Sequence, residues 1–213
     1  MYIKVNLMKL LKNIITLVIL TLAVIGFMSI GGMDFVKKVF SNVSWFNKSQ
    51  ETVMEKANKI ANFSNINQEE YEISKTANIM GYKAVVAEHN ASKQKFIVID
   101  SDKEPLLTKQ DFDSGNIDNK IQILNKKLKK QFVHFDNIKI IKKSTMQTMG
   151  QTVPYVKLEA EPRNMYGVKK VTGIVGVVGE GENAKTLVAF NTDNKYSQII
   201  TDQFFKDVKI AGK

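Results

Sequence analysis

Residues 169–190 of the chain read KKVTGIVGVVGEGENAKTLVAF. The part from Lys169 to Val178 is rich in β-branched side chains, which are typical of a buried β-strand. Glycine and polar residues at 179–183 indicate a turn, and Lys185–Phe190 is again mostly apolar. This stretch therefore predicts a β-hairpin with its turn at 179–183.

Elements on either side extend the hairpin. Upstream, Val156, Leu158 and Ala160 alternate with charged residues, as expected of a half-buried strand over residues 156–161. Downstream, Asn194 is the predicted N-cap of a closing helix over residues 195–208. The side chains expected to face inward from that helix are Tyr196, Ile199, Ile200, Phe204 and Val208. The C-terminal third thus predicts a β-meander that ends in a helix.

The middle of the chain combines helical and strand patterns. The predicted helices cover residues 49–63, begun by Ser49, and residues 117–132. One predicted strand begins at Tyr71. Two more, Lys83–Glu88 and Lys95–Asp100, are joined by a turn at 90–93, and a fourth covers Asn137–Lys142. Gly81 is predicted to lie in a turn, and residues 101–115 to be irregular. Because strands do not alternate regularly with helices, the predicted fold class is α+β, with an antiparallel β-sheet packed by helices.

The N-terminal part differs in character from this domain. Asn13–Met33 is a run of 21 residues without a charge. As a helix, such a run is roughly 31 Å long, about the thickness of the hydrocarbon core of a bilayer. We therefore expect residues 1–33 to be a transmembrane signal-anchor that contacts the lipid bilayer through residues 13–33. A water-soluble helix would carry polar residues at every third or fourth position, and a buried core helix is the alternative.

Two fates of this segment stay open. Lys4, Lys9 and Lys12 precede the run as a basic leader, and Ser29-Ile30-Gly31 resembles a signal-peptide cleavage site. Cleavage there would release a secreted domain. Without cleavage, we expect a single-pass protein of a bacterial cell envelope, with a cytoplasmic N-terminus and an extracytoplasmic C-terminal domain.

Residues 34–48 join the anchor to the domain, which is predicted to comprise residues 49–213. Apolar side chains recur among the lysines of this segment, and they are Phe35, Val36, Val39, Phe40, Val43 and Phe46. This spacing is typical of an amphipathic helix at a membrane interface, and Trp45 suits the depth of the lipid headgroups. A plain juxtamembrane linker is the alternative.

Composition restricts the partners and the chemistry. The net charge is +10, yet Arg163 is the only arginine. Nucleic-acid-binding proteins use arginine for phosphate and base contacts, so no nucleic acid is expected as a partner. The charge is interpreted as a solvated cationic surface that anionic lipid headgroups attract. The chain has no cysteine, which excludes disulfides, thiol catalysis and zinc–thiolate sites.

One motif approaches a phosphate-binding loop. Gly179–Thr186 has the spacing of such a loop, but Ala184 replaces its second glycine. Glu180 and Glu182 would repel a phosphate, and the residues that follow have a strand pattern instead of the helix that a phosphate-binding loop requires. A hairpin turn explains these glycines better than a nucleotide site.

The remaining polar candidates are isolated. His89 and His134 are the only histidines, and we interpret them as strand or loop residues because a hydrolytic zinc site usually takes three protein ligands. Asp100 and Asp102 would suit a cation or a catalytic pair, but a turn at the end of a strand explains them better. Arg163 is expected to pair with a carboxylate across a turn, or to face an anionic ligand.

The order of elements resembles a known group of proteins. It is carried by Lys59-Ile60-Ala61-x-Phe63, by the strand pair around Gly81, and by the meander that leads to a helix at Tyr196-Ser197. This layout, over residues 50–208, is similar to small membrane-anchored envelope proteins of bacteria and to the α+β domains of the PsbP/Mog/DcrB group. The resemblance implies a binding or assembly role, and no catalytic residues carry over from it.

These patterns predict a membrane-anchored protein that presents a basic α+β domain for binding or assembly, with a protein partner in the cell envelope. Neither catalytic nor cofactor-binding nor metal-binding residues are predicted. Two alternatives remain. One is a secreted domain released near Gly31, and the other is an envelope enzyme that uses carboxylates, with Asp100 and Asp102 as its candidates.

Overall fold

The computed structural model describes residues 50–79, 82–101, 105, 107–129, 135–162 and 168–211. These residues form seven β-strands and four α-helices. The strands are β1 (Tyr71–Ile79), β2 (Tyr82–His89), β3 (Lys95–Ser101), β4 (Phe135–Thr148), β5 (Gln151–Pro162), β6 (Val171–Val178) and β7 (Lys185–Thr192). The helices are α1 (Gln50–Asn58), α2 (Lys109–Asp113), α3 (Ile117–Lys129) and α4 (Gln198–Asp207).

All seven strands lie in one antiparallel sheet, in the order β1-β2-β3-β7-β6-β5-β4. Consecutive hairpins build each half of it, because β1 to β3 and β4 to β7 each run as a meander. The halves join where β3 pairs with β7. The connection from β3 to the edge strand β4 carries α2 and α3. The predicted α+β class with an antiparallel sheet packed by helices is therefore confirmed.

Helices α1 and α4 cover one face of the sheet, which we call the α1/α4 face. Its core includes four fully or almost fully buried aromatic side chains, Tyr71, Phe96, Phe204 and Phe205. The rings of Phe96 and Phe204 stack with their centroids 4.1 Å apart, and Tyr71 lies 5.2 Å from Phe204. Burying each such side chain contributes about 1.5–3 kcal/mol, so these contacts fix α4 on the sheet.

Helices α2 and α3 lie on the opposite face, the α2/α3 face. Leu107, Ile117 and Ile121 pack there against Val156 of β5. The start of α2 is set by Thr108, whose side chain accepts a hydrogen bond from the Asp111 N–H while the Asp111 carboxylate accepts one from the Thr108 N–H. This reciprocal pair is a capping box, and it starts a helix within residues 101–115, which were predicted to be irregular.

Several predicted elements have different ends in the structure. The strands predicted at 137–142 and 156–161 are parts of the longer β4 and β5, which meet at a two-residue turn with φ of 50° at Met149 and 74° at Gly150. The helix predicted to reach Phe63 ends at Asn58, because the Asn58 side chain accepts a hydrogen bond of 3.0 Å from the Phe63 N–H.

The prediction for the closing helix was wrong in two respects. Its N-cap is Ser197, whose Oγ accepts from the Ile200 N–H, whereas Asn194 has φ of 66° and lies in the preceding turn. The later start changes which residues face the core. Ile199 is 79% exposed, and Thr201 and Phe205 are buried together with the correctly predicted Phe204.

Other predictions fall on residues that the structure does not describe. These include the anchor at 13–33, the segment 34–48, Gly81, Asp102, His134 and Arg163. Among the described helices, none has the length and apolar character that a membrane span requires.

Candidate functional site

Two lysines face each other across the hairpin of β4 and β5. Lys142 is the direct partner of Lys157 in the antiparallel register, and Lys157 is in turn opposite Ile174, a core residue under α4. Cross-strand partners project on the same side of a sheet, so both lysines lie on the α1/α4 face. Like charges in this position destabilise a sheet. The pair therefore concentrates positive charge where stability alone would favour an acid.

The two lysines lack acidic partners within the described ranges. Lys157 is half-buried, and its Nζ lies 4.8 Å from the centre of the Tyr196 ring. A cation over an aromatic face is stabilised by about 0.5–1 kcal/mol at exposed sites. Tyr196 thus holds the Lys157 ammonium group in place, while Lys142 extends into solvent.

A third lysine continues this positive strip toward the start of β4. Lys139 is opposite Glu159, but Glu159 Oε1 already accepts a hydrogen bond of 3.0 Å from Lys170 Nζ. We call Lys139, Lys142 and Lys157 the β4–β5 lysine surface. The register shift in β4 between Ile140 and Lys142 brings Lys139 and Lys142 to the same face.

Buried polar contacts hold Tyr196 and the start of α4 beside this surface. Gln94, just before β3, is fully buried. Its Nε2 donates to Ser197 O at 3.0 Å and to Thr201 Oγ1 at 2.8 Å, and its Oε1 accepts from the Ser197 N–H at 2.7 Å. Every polar atom of the Gln94 side chain is therefore engaged in fixing the first turn of α4.

Asn191 of β7 fixes the loop that precedes Tyr196. Its Nδ2 donates to Ser92 O at 2.9 Å and to Lys195 O at 3.2 Å. One side chain thus ties the turn between β2 and β3 to the loop between β7 and α4. Since both loops are held to the sheet, Tyr196 is pre-positioned under Lys157.

The chemistry of this arrangement is that of an anion-binding surface. Burial is the main cause that raises the pKa of Tyr196 above 10.0, so its hydroxyl stays protonated near neutral pH. That hydroxyl lies 3.1 Å from Gln198 Oε1 and 3.0 Å from Thr201 Oγ1. The lysine ammonium groups beside it attract anions such as carboxylates or phosphates.

The structure separates the polar residues that the sequence analysis singled out. The Asp100 carboxylate accepts a salt bridge of 2.8 Å from Lys185 Nζ at the end of β3, which agrees with the predicted strand-end position. His89 ends β2, where Nδ1 lies 3.0 Å from the Ser92 N–H, as expected of a strand or loop residue. The described residues contain no group of three or more acidic or histidine side chains placed to hold a metal ion.

The glycines at 179 and 181 form a turn, as predicted. Gly179 has φ of 81° and Gly181 has φ of 56°, both in the left-handed region that favours glycine. A single 3-10 turn at Gly181–Asn183 leads directly into β7. Because a strand follows this turn, the geometry is that of a hairpin and differs from a phosphate-binding loop.

A scan against protein-family models and a search of curated proteins give no match to this chain.

The β4–β5 lysine surface and the Gln94 contacts were not predicted from the sequence. Lys142 and Lys157 belong to separate predicted strands, and strand composition does not reveal which residues become cross-strand partners. A lysine among apolar residues on each of two consecutive strands was the available signal. No local signal pointed to Gln94, because its partners Ser197 and Thr201 lie more than a hundred positions away.

Proposed function

We propose that this chain is a single-pass membrane protein that presents its basic α+β domain outside the cytoplasmic membrane, as a non-enzymatic binding or assembly module. The uncharged run Asn13–Met33 supports the membrane anchor. The unfavourable pairing of Lys142 with Lys157 supports the binding role, because a positive surface kept at the expense of stability is suited to an anionic partner. That pairing is the observation on which the binding role depends.

The partner that fits this surface is an envelope protein with exposed acidic side chains. Lys139, Lys142 and Lys157 lie on two neighbouring strands, so they present a row of positive charges on one face of the sheet. A row of carboxylates on a partner would supply the opposite charges that the sheet does not place beside these lysines. Binding through such pairs is expected to weaken as salt concentration rises.

Catalysis by carboxylates receives less support. Asp100 is held by Lys185 at 2.8 Å and both side chains are largely buried. A carboxylate in that ion pair is a poor candidate for a base that exchanges protons with a substrate.

Size analysis of the protein extracted from membranes in mild detergent tests the binding role. The full chain is expected to migrate as a complex, and a Lys142→Glu, Lys157→Gln variant as the smaller free protein. Lys206→Glu, which changes an exposed lysine on α4, is the control and should leave the complex intact. A complex of unchanged size in the double variant would refute a role of this surface.

Alkaline extraction and the mass of the protein test the anchor. We expect the chain to stay in the membrane pellet with its N-terminal segment intact. A soluble product that begins near Gly31 would establish the secreted alternative instead.

A further inference from the structure

The edge strand β4 is irregular over its first half and regular over its second. The first half contains both register shifts, and there Gln122 Nε2 of α3 donates a hydrogen bond of 3.4 Å to Ile138 O. From Lys142 to Thr148 every residue has a consecutive partner on β5. Residues 144–148 contain no charged residue and no proline, which are the usual means of protecting an exposed edge.

The turn between β4 and β5 shows which backbone groups of β4 point outward. In a two-residue hairpin the pair that closes the turn, here Thr148 and Gln151, exchanges hydrogen bonds, and such pairs alternate with pairs that do not. The partner of Thr145 is Pro154, which has no N–H to donate and therefore suits a pair without hydrogen bonds. The residues whose N–H and C=O groups point away from the sheet are thus Lys143, Thr145 and Gln147.

These outward groups are accessible. Within the described residues β4 pairs with β5 alone, and no other hydrogen bond among those residues reaches the backbone of Lys143, Thr145 or Gln147. The side chains of all three are exposed as well. The outer side of β4 is therefore a template to which another strand can add.

We propose that β4 of a second copy of this chain pairs with this edge in antiparallel orientation, centred on Thr145. Each Thr145 then lies opposite the Thr145 of the other copy, and each Lys143 lies opposite the other Gln147. The outward residues of one strand meet those of the other, and each pair exchanges two hydrogen bonds. The contact has twofold symmetry because the same surface of both copies forms it.

Charge and turn geometry favour this register over its neighbours. A contact centred on Lys143 would place two lysines opposite each other, which destabilises a sheet. A contact centred on Gln147 would place Thr145 opposite Met149, which lies in the turn with φ of 50°. With Thr145 at the centre, Lys143 faces an uncharged side chain and can keep its ion pair of 2.7 Å with Asp118.

The other edge of the sheet is a less regular template. Strand β1 is interrupted between Ile73 and Lys75, where the Ser74 hydroxyl donates to Val86 O at 3.1 Å. A bulge of this kind twists an edge strand and hinders its pairing with another chain. The second copy is therefore expected at β4.

The pairing is compatible with the proposed anchor and with the β4–β5 lysine surface. A twofold axis between antiparallel strands is perpendicular to the sheet, so α1 of both copies lies on one side of the joined sheet and both N-terminal segments can reach one membrane. Lys142 comes opposite Thr148 of the other copy. It is thus about 20 Å along the strand from the other Lys142, farther than the roughly 8 Å over which charges interact at physiological salt.

Single cysteines in the full chain, studied in membranes, test the pairing, because the natural sequence has no cysteine. Thr145→Cys should form a disulfide-linked dimer on mild oxidation, since the two Cα atoms are expected about 5.5 Å apart. Thr152→Cys is the matched control, because Thr152 is an exposed threonine on the same face but belongs to β5. It should give severalfold less dimer, and equal yields from the two variants would contradict the pairing.

Two differently tagged chains test the register. Lys143→Cys in one chain and Gln147→Cys in the other should give mixed dimers in severalfold higher yield than Lys143→Cys gives with itself. In the proposed register the two Lys143 residues are about 14 Å apart along the strands, which is too far for a disulfide. Self-linked Lys143→Cys in equal yield would overturn this register.

Thr145→Pro separates the contact from the folding of the domain. Proline removes the outward N–H at the centre of the contact and leaves the hydrogen bonds between β4 and β5 in place. In mild detergent the protein mass of this variant should be half that of the natural dimer, while Thr145→Ala should stay dimeric and both should keep a melting transition. A natural chain that is monomeric in detergent and gives no Thr145→Cys dimer in membranes would refute the proposal.

The pairing and the proposed binding role can fail independently. Thr145→Cys combined with Lys142→Glu and Lys157→Gln should still form the disulfide-linked dimer, because neither lysine contributes to the backbone pairing. Loss of the dimer in this triple variant would show that the lysine surface, and not the edge of β4, joins the two copies.

Discussion

Lys157 Nζ lies 4.8 Å from the centre of the Tyr196 ring, and Lys157 is the direct cross-strand partner of Lys142. The ring thus fixes one of the two lysines that face each other across β4 and β5. The ring belongs to the residue just before the N-cap of α4, and Gln94 and Asn191 hold that loop to the sheet. The charged surface is thus supported by the same contacts that attach the last helix.

Reversing one charge of the pair is expected to stabilise the domain. Lys142→Glu replaces a repulsive cross-strand pair by an attractive one and leaves Lys157 over Tyr196. We expect the free energy of unfolding to rise by about 0.2–1 kcal/mol, and the gain to shrink in high salt. Urea denaturation at two salt concentrations measures both effects.

The neighbouring lysine provides the matched control for this change. Lys139 is opposite Glu159, so Lys139→Glu creates a like-charge pair in the same hairpin. It should lower the free energy of unfolding by a similar amount. If both variants change the free energy of unfolding in the same direction, charge pairing across β4 and β5 does not determine the stability of this hairpin.

Loss of the Gln94 side chain is expected to loosen α4. Gln94→Leu keeps most of the volume but leaves the Ser197 N–H without its 2.7 Å partner. Each buried polar group left without a partner costs about 1–3 kcal/mol. Thermal unfolding should show a clear loss of stability. Gln147→Leu, which removes an exposed hydrogen bond to Thr152, should change stability by no more than about 0.5 kcal/mol, and equal losses would contradict the role of Gln94.

A methyl group at Gly173 is expected to disturb the pairing of β6 with β7. A Cβ atom there would lie 2.7 Å from Phe190 Cβ and also against the Ala189 carbonyl oxygen. Overpacking of this kind costs about 1–3 kcal/mol. Gly176→Ala should cost less, because one of its nearest neighbours is the flexible Met146 Cε at 3.2 Å. Denaturation midpoints of the two variants test this order, and a more stable Gly173→Ala would be inconsistent with it.

Alkaline pH is expected to destabilise the domain through Tyr71. Burial, assisted by the charge of Glu70, raises the pKa of Tyr71 from 10.0 to about 12. Because this pKa is higher in the folded chain, the unfolded chain loses the proton first as pH rises. The contribution of Tyr71 is complete below about pH 10 and is lost between about pH 10 and 12, at up to about 1.4 kcal/mol per pH unit.

The Tyr71→Phe variant isolates this effect from the titration of lysines. Its free energy of unfolding should fall less steeply than that of the natural protein between pH 10 and 12. Denaturation at pH 9, 10 and 11 measures the two slopes. Identical slopes would show that Tyr71 does not titrate on unfolding.

The sequence predicted those parts of the fold that depend on local patterns. Lys95–Asp100 and Lys185–Phe190 were recognised as strands because their apolar residues are consecutive or alternate, and Gly179 marked the hairpin turn. Ile199 was misplaced because helical periodicity gives a face only when the first residue of the helix is known. That residue is set by Ser197 and by its distant partner Gln94.

The candidate surface was harder to predict because it depends on register. Lys142 and Lys157 become partners only after the register shift between Ile140 and Lys142. A shift by one residue would move a side chain to the other face of the sheet. The order of β3 and β7 is likewise non-local, and no single stretch of sequence specifies it.

The measurement that bears most directly on the proposed function is the location of the domain relative to the membrane. Two fusions of the full chain, with alkaline phosphatase or with a fluorescent protein at the C-terminus, report opposite sides. If residues 13–33 anchor the chain and export the domain, the phosphatase fusion is active, the fluorescent fusion is dark, and both stay in the membrane fraction. A fluorescent fusion with an inactive phosphatase would place the domain in the cytoplasm and contradict the proposed function.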